Sequence, residues 1–281
     1  MTAKLKKIFP VGVIGAGELG SAFVRGLLWS RLYNPEDFIA SNPPDRPALR
    51  RLVRELGITG AADNREVIRR SRIVLISVWQ KSLEAVLGEI RNELRSSHIL
   101  VSPMAGIPTF VIERLLKKRV PVVRCMPNIC CMVGEGVTAL CGGRYASREH
   151  VRRVEKLWAA MGKTHRVKES QLNLITAISG CGPAYTALFA HALRDAGVRL
   201  GLSKALASEL SLATVSGSAR MLELNGEDPL AFARHVITPG GTTEEGVKVL
   251  KKRRFHETVT GATRAGARRA ARIGKAHAKK R

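Results

Sequence analysis

Val11-Gly-Val-Ile-Gly15-Ala-Gly17-Glu-Leu-Gly20 decides the fold of this 281-residue chain. Three glycines spaced G-x-G-x-x-G stand directly behind a continuous apolar segment at 9–15. They open a segment at 18–30 whose apolar residues recur at helical spacing. Alone the hexapeptide says little; between a strand and a helix it describes a turn that holds phosphates. Gly15 permits the tight turn, Gly17 lets the backbone approach a pyrophosphate, and Gly20 lets the helix lie close to the strand. The phosphates would sit on unpaired amides at the positive end of the helix. The competing reading is a glycine turn with a structural role only.

Working outward, the first half alternates strands and helices. Strands are expected at 37–41, 73–78, 99–102 and 120–125, and helices at 47–56, 64–71, 83–94 and 108–117, with Gly57 as a C-terminal stop. Strands rich in Val and Ile, separated by helices, indicate a parallel sheet with helices on both faces. Beyond about residue 165 the periodic segments become long and helical, at 169–179, 183–200, 203–224, 229–236, 243–252 and 255–273. The expected architecture is an α/β Rossmann domain over residues 1–165 followed by an all-α domain over 166–281, ending in a basic tail from about 264.

The end of the second strand bears on which dinucleotide is held. Enzymes that use NAD commonly place Asp or Glu there to hold the ribose hydroxyls. Here the chain reads Ile39-Ala-Ser41-Asn42-Pro-Pro-Asp45-Arg46. Ser41 and Asn42 do not repel a 2′-phosphate and Arg46 would pair with it, so NADPH is favoured and NADH is the alternative. Asp45 is the residue that argues the other way.

Composition narrows the class. Hydrophobic residues make up 45% and charged residues 25% of the chain, as in ordinary globular proteins. The apolar runs have strand length, short of the roughly 20 residues that span a bilayer, so no membrane association is expected. Lys4, Lys6 and Lys7 before the first apolar segment resemble the start of a signal peptide, but that segment runs into the glycine turn with no cleavage-type tripeptide. A cytoplasmic protein is expected. Cys125, Cys130, Cys131, Cys141 and Cys181 are an odd set without CxxC pairs, which reads as reduced, buried thiols and no metal site. The net charge is +24, and residues 264–281 carry eight Lys and Arg and no acid. Such a tail suits an anionic surface. It holds no aromatic for base stacking, so nucleic acid is not the expected partner, and a solvated, partly disordered tail is.

Four further segments carry a family resemblance: Val123-Arg-Cys-Met-Pro-Asn128, Gly134-Glu-Gly-Val-Thr138, Ile178-Ser-Gly-Cys-Gly-Pro-Ala-Tyr185 and Thr238-Pro-Gly-Gly-Thr-Thr243. In order and spacing the chain resembles the pyrroline-5-carboxylate reductases from end to end, the basic tail excepted. The resemblance implies a Rossmann domain followed by a helical domain that interlocks with a second subunit, with homodimers that in the family often assemble into a decamer. It implies hydride transfer from NADPH to the C=N carbon of 1-pyrroline-5-carboxylate, giving L-proline. Candidate cofactor contacts are Ile14, Gly15, Ala16, Gly17, Glu18 and Leu19 in the first loop and Ser41, Asn42 and Arg46 after the second strand. Asn64, Val78, Trp79, Met104 and Ala105 complete the set. The segment from Thr238 to Thr243 reads as a glycine loop feeding a helix, suited to one carboxylate. Thr238, Gly240, Gly241 and Thr242 are the substrate-binding candidates. By resemblance Thr243 is catalytic and offers its hydroxyl to the ring nitrogen.

Departures bear on substrate identity. Ser77-Val78-Trp79-Gln80 stands where the family usually has Val-Lys-Pro, and Cys181 replaces a common serine. A different small cyclic imine carboxylate is therefore a rival substrate. A 3-hydroxy-acid dehydrogenase would need a lysine on the helix after the first domain, and none lies between Lys168 and Lys204. A non-catalytic regulatory or nucleic-acid-binding relative is the remaining rival, motivated by the charge. The reading needs the two glycine loops, from separate domains, to face one site.

Overall fold

The computed structural model describes residues 11–43 and 47–279. Arg46 and Asp45 lie outside them, as do residues 1–10, so the expected pairing of Arg46 with a 2′-phosphate has no structural description.

Eight strands form one sheet in the order β3-β2-β1-β4-β5-β6-β7-β8. They are β1 (Val11–Ile14), β2 (Phe38–Ser41), β3 (Thr59–Gly60), β4 (Ile73–Ile76), β5 (Ile99–Ser102), β6 (Val122–Met126), β7 (Gly136–Gly142) and β8 (Gly162–Arg166). The helices between them are α1 (Glu18–Trp29), α2 (Ala48–Leu56), α3 (Asn64–Arg70), α4 (Leu83–Ile90), α5 (Thr109–Leu116) and α6 (Arg148–Ala159). The strand order reverses at β1, whose parallel neighbours are β2 and β4. In such sheets ligands bind at the carboxyl end of the strands beside that reversal.

The central strands are apolar on both sides because both faces are covered. Val11 and Val13 join one core with Phe23, Leu27 and Trp158, whereas Ile14, Val74 and Ile76 join the other with Leu83, Leu87 and Ile90. Successive residues of a strand point to opposite faces, so β1 serves both cores at once. Trp158 of α6 tilts against Phe23 of α1 with ring centroids 4.8 Å apart.

The sheet departs from the expected all-parallel form. β6 and β7 are antiparallel, with Cys125 opposite Leu140. Residues 127–135 join them, too few for the dozen or more a parallel crossover needs. β3, β7, α6 and β8 were not expected from the sequence. β8 is an exposed edge strand, Gly-Lys-Thr-His-Arg, without apolar alternation. It exists because β7 offers it a parallel partner from Gly136–Gly162 to Leu140–Arg166. Gly162 has φ +138, and a Cβ there would lie 2.1 Å from the Gly136 carbonyl oxygen.

The remaining elements are helical: α7 (Leu172–Ile175), α8 (Gly182–Arg199), α9 (Lys204–Asn225), α10 (Pro229–Val236), α11 (Thr242–Lys252) and α12 (Phe255–Lys279). The single helix expected at 169–179 is instead a 3-10 turn at Glu169–Gln171, α7 and a π-helical turn at Thr176–Gly180. Side-chain caps start α9 and α10: Ser203 Oγ accepts from the Leu206 amide at 3.2 Å, and Asp228 from Leu230 and Ala231 at 3.0 Å each. The stretch Glu169–Arg199 is long and apolar enough to cross a membrane by length and composition, with only 17% of its apolar window buried.

Contacts divide the chain into two compact units, Met1–Gly180 with Gly266–Arg281, and Cys181–Ala265. The basic tail belongs to the first. It is not disordered over residues 264–279: it is the end of α12. It sits on the β5–α5 loop, where Gly106 has φ +78 and a Cβ on Gly274 would lie 2.5 Å from the Gly106 carbonyl oxygen. Ala270 is buried there.

Candidate active site

The three glycines after β1 have three different environments. Gly15 has φ +99, and a Cβ on it would lie 2.2 Å from the Ser77 carbonyl oxygen; one on Gly20 would lie 2.1 Å from the Gly15 carbonyl oxygen. Those two are closed by backbone. A Cβ on Gly17 would meet nothing within 4 Å. The turn is held by the Gly15 amide, which donates to Ser41 O at 3.0 Å, and by the Ser77 amide, which donates to Ile14 O at 2.8 Å. Gly17 caps α1 without a side-chain hydrogen bond. The first amides of α1 therefore have no acceptor within the helix and carry its positive end.

A cavity of about 410 Å³ opens beside this turn. Of the candidates, Ile14, Gly15, Gly17, Ser41, Asn42, Asn64, Val78 and Trp79 line it. Ala16 and Glu18 line a separate cavity of about 300 Å³ with Arg25, Arg51 and Glu55. Leu19 lines neither cavity. Met104 is buried beyond β5, and the Ala105 carbonyl accepts from Gln80 Nε2 at 3.1 Å. That bond ties the β4 and β5 loops together but leaves Met104 and Ala105 off the cavity wall.

Polar groups on the wall form a chain. Ser41 Oγ donates to Asn64 Oδ1 at 2.6 Å, and Asn64 Nδ2 donates to Glu89 Oε2 at 2.6 Å. Asp63 is also engaged, capping α3 by accepting from the Glu66 amide at 2.7 Å. Asn42 Nδ2, in contrast, is buried with no hydrogen-bond partner among the described residues. An orphaned buried donor on a cavity wall is costly unless a ligand satisfies it. With an open Cβ direction at Gly17 and a bare helix N-terminus, the residues present fit a dinucleotide. Glu89 was not singled out in the sequence. Its signal was the spacing Ser82, Val86, Glu89 on one face of α4, which becomes legible only when that face is known to line a cavity.

The second glycine loop lies in the other unit. Gly240 has φ +71. Its amide donates to Glu244 Oε2 at 2.7 Å, and the Gly241 amide donates to Thr238 O at 2.9 Å. Both glycine amides are thus engaged inside the loop and its helix. The donors left at the start of α11 are the amides of Thr242 and Thr243, which precede any intrahelical acceptor, and the threonine hydroxyls. Thr238, Thr242 and Thr243 are exposed in the isolated chain.

Cys125, Cys131 and Cys141 are buried as expected, whereas Cys130 and Cys181 are only half-buried. Burial pushes Cys131 up and Cys125 well above the usual thiol range. Burial and the Glu169 carboxylate push Cys141 up to about 12. Neutral thiols are poor nucleophiles. A conspicuous charged group serves the frame instead: buried Arg124 on β6 reaches Glu169 Oε1 at 3.4 Å and Asn173 Oδ1 at 2.9 Å. Glu169 in turn accepts from the amide and hydroxyl of Thr109 at 2.7 and 2.9 Å.

Comparison with known proteins follows the same division of the chain. Residues 169–273 match the family described as pyrroline-5-carboxylate reductase dimerisation, and residues 10–106 match NADP oxidoreductase, coenzyme F420-dependent. Pyrroline-5-carboxylate reductase 1 of Bacillus spizizenii is 30% identical over 94% of this chain and 89% of that protein. Pyrroline-5-carboxylate reductase 3 of Rattus norvegicus is 31% identical over 94% and 96%. The structure of the Plasmodium falciparum pyrroline carboxylate reductase with NADP bound superposes with a TM-score of 0.87 at 30% identity, covering 95% of this chain and 98% of that one. A glycine turn with an open cradle, a cavity beside the strand reversal and end-to-end likeness to these enzymes converge: the chain is an oxidoreductase of the pyrroline-5-carboxylate reductase family, built to hold a nicotinamide dinucleotide.

Proposed function

We propose that this protein reduces 1-pyrroline-5-carboxylate to L-proline with NADPH. The observation that carries the cofactor choice is the orphaned Asn42 Nδ2 beside Ser41 at the tip of β2. That strand end presents donors, and the two carboxylates on the wall, Asp63 and Glu89, are already engaged. A 2′-phosphate meets donors there with both described wall carboxylates occupied, and in the sequence Arg46 directly follows Pro43-Pro44-Asp45. The Plasmodium relative held NADP, which supports the same choice.

When bound, the nicotinamide supplies the hydride. The chain supplies position. The turn at Gly15 and Gly17 and the first amides of α1 hold the pyrophosphate, and Ser41 and Asn42 orient the adenosine end. On the substrate side, the amides of Thr242 and Thr243, with the Thr238 hydroxyl, take the ring carboxylate, and Gly240 and Gly241 permit close backbone approach. Thr243 hydrogen-bonds through its hydroxyl to the ring nitrogen, steadying the imine while the proton of the developing amine comes from solvent.

Initial rates of NADPH oxidation test this. Pyrroline-5-carboxylate should outrun the six-membered piperideine carboxylates, and NADPH should outrun NADH. A Thr243→Ala variant should lose about a hundredfold in rate; full activity would remove Thr243 from its role. Arg46→Ala with an unchanged preference would remove Arg46 from the phosphate site. Trp79, 67% exposed on the cavity wall in place of the usual Lys-Pro, favours a second reading with a different ring, which faster turnover of a piperideine carboxylate would establish.

The matched dimerisation segment and the exposed apolar residues of α8, α9 and α11 support a homodimer, and a decamer of five such dimers is the further assembly proposed. The five free cysteines suit a reducing compartment, the cytoplasm.

A further inference from the structure

Helix α4 has a ligand cavity on each of two sides. Ser82, Val86 and Glu89 face the dinucleotide cavity. Glu84, Gly88 and Arg91 repeat that spacing two residues later, roughly 200° around the helix, and line a second hollow of about 450 Å³. Its opposite wall comes from Val111, Arg114, Leu115 and Lys117 of α5 and the turn after it, and its end from His277 of α12. The hollow is as large as the one beside the glycine turn.

Its charge is one-sided. Lys81, Arg91, Arg114 and Lys117 line it, and among the described residues Glu84 is the one carboxylate on its wall. Two arginines of α3, by contrast, are paired: Arg70 with Glu66 at 3.0 Å and Arg69 with Glu93 at 3.6 Å. Among the described residues Lys81, Arg91 and Lys117 have no acidic partner, and neither has Glu84 a basic one. The C-terminal helix is fastened at this spot. Arg114 Nη2 donates to the His277 carbonyl at 3.1 Å, and Gly274 lies against Gly106. His277 Nδ1 is engaged with Ile273 O at 3.0 Å, which leaves Nε2 for the hollow. Leu83, Val111 and Leu115 supply an apolar floor.

Like charges held around one hollow repel, and a multiply charged anion relieves the repulsion while filling the space. A monoanion would leave most of the charge on Lys81, Arg91 and Lys117 unmet. We infer that the hollow between α4, α5 and the end of α12 is a second binding site, for a small polyphosphate-bearing anion. It gives the basic C-terminal helix a purpose: its last turns complete the wall. Because α4 is the common wall, a ligand here abuts the helix that carries Glu89.

The test is calorimetric titration of the full-length protein with inorganic tripolyphosphate, and separately with guanosine triphosphate, with and without saturating NADPH. One equivalent should bind in the presence of NADPH, more weakly as salt rises. Lys81→Gln/Arg91→Gln/Lys117→Gln should weaken it roughly tenfold or more, since charge-assisted hydrogen bonds are lost. Arg144→Gln/Arg148→Gln/Lys156→Gln removes the same charge elsewhere and should leave binding unchanged. Tighter binding of the nucleotide assigns the apolar floor to its base; equal binding assigns the site to the phosphates alone. Competition with NADPH, no binding to the protein without NADPH, or equal loss in both triple variants would overturn the proposal.

Discussion

The sheet unit and the helical unit solve burial differently. In the first, Trp158, Phe23 and Phe38 are at most 2% exposed. Each face of the sheet has its own apolar cluster. In the second, Leu188 is 66% and Leu212 62% exposed, and few side chains are buried. Apolar side chains on α8 and α9 are excluded from water only if another surface covers them. One unit is complete as a single chain, and the other has the surface of half an interface, in keeping with its match to a dimerisation family.

The hardest blow to the first unit is Trp158→Ala. Emptying the space between α6 and α1 should cost about 3–5 kcal/mol, read from urea denaturation. A small loss would mean that the sheet unit also leans on a partner. In the second unit, Leu188→Lys should spare that transition and weaken self-association by roughly tenfold or more. Sedimentation over a dilution series measures it, and an unchanged size distribution would remove Leu188 from the interface.

The glycine turn sharpens the contrast within the first unit. Gly15→Ala forces a side chain into left-handed backbone against Ser77 and should destabilise by about 1–3 kcal/mol. Gly17→Ala enters empty space, so stability should hold while dinucleotide binding weakens by about tenfold. Equal effects on stability would show that the Gly17 cradle is not spare space.

The smallest expected effect is one of pH. His98 is buried, with Nδ1 accepting from the Arg95 amide at 2.9 Å and Nε2 facing Ile68 O at 3.1 Å. Burial holds its folded-state value below the ordinary imidazole 6.5. The unfolded chain therefore takes up the proton first. The stability is fully present above about 6.5 and is lost as pH falls through the lower folded value. Denaturation midpoints of the sheet unit should drop between pH 7.5 and pH 5, and His98→Gln should flatten that slope.

Much of this was legible in the sequence because the deciding constraints are local. A glycine turn between an apolar strand and a helix states its backbone conformation in six residues, and the motifs ending at Asn128, Tyr185 and Thr243 mark the family without any knowledge of contacts. The helices from Gly182 to Val236 announce themselves at their starts, by Pro183 in the first turn of α8 and by the Ser203 and Asp228 caps of α9 and α10. What was illegible depends on neighbours far along the chain. Gly162–Arg166 is a strand only because Gly136–Gly142 lies beside it, and β7 turns antiparallel because its link to β6 is short. The basic tail reads as solvated until Gly106 receives Gly274.

Residue order alone determined the dinucleotide turn, the two-part organisation and the family, since each rests on backbone freedom or helical period within a short window. Tertiary structure alone decided that Asn42 is left without a partner, that Glu89 closes a chain through Asn64 to Ser41, and that α4 divides two cavities. Burial and opposed helix faces are properties of packed neighbours, and those neighbours are tens to hundreds of residues apart in the chain.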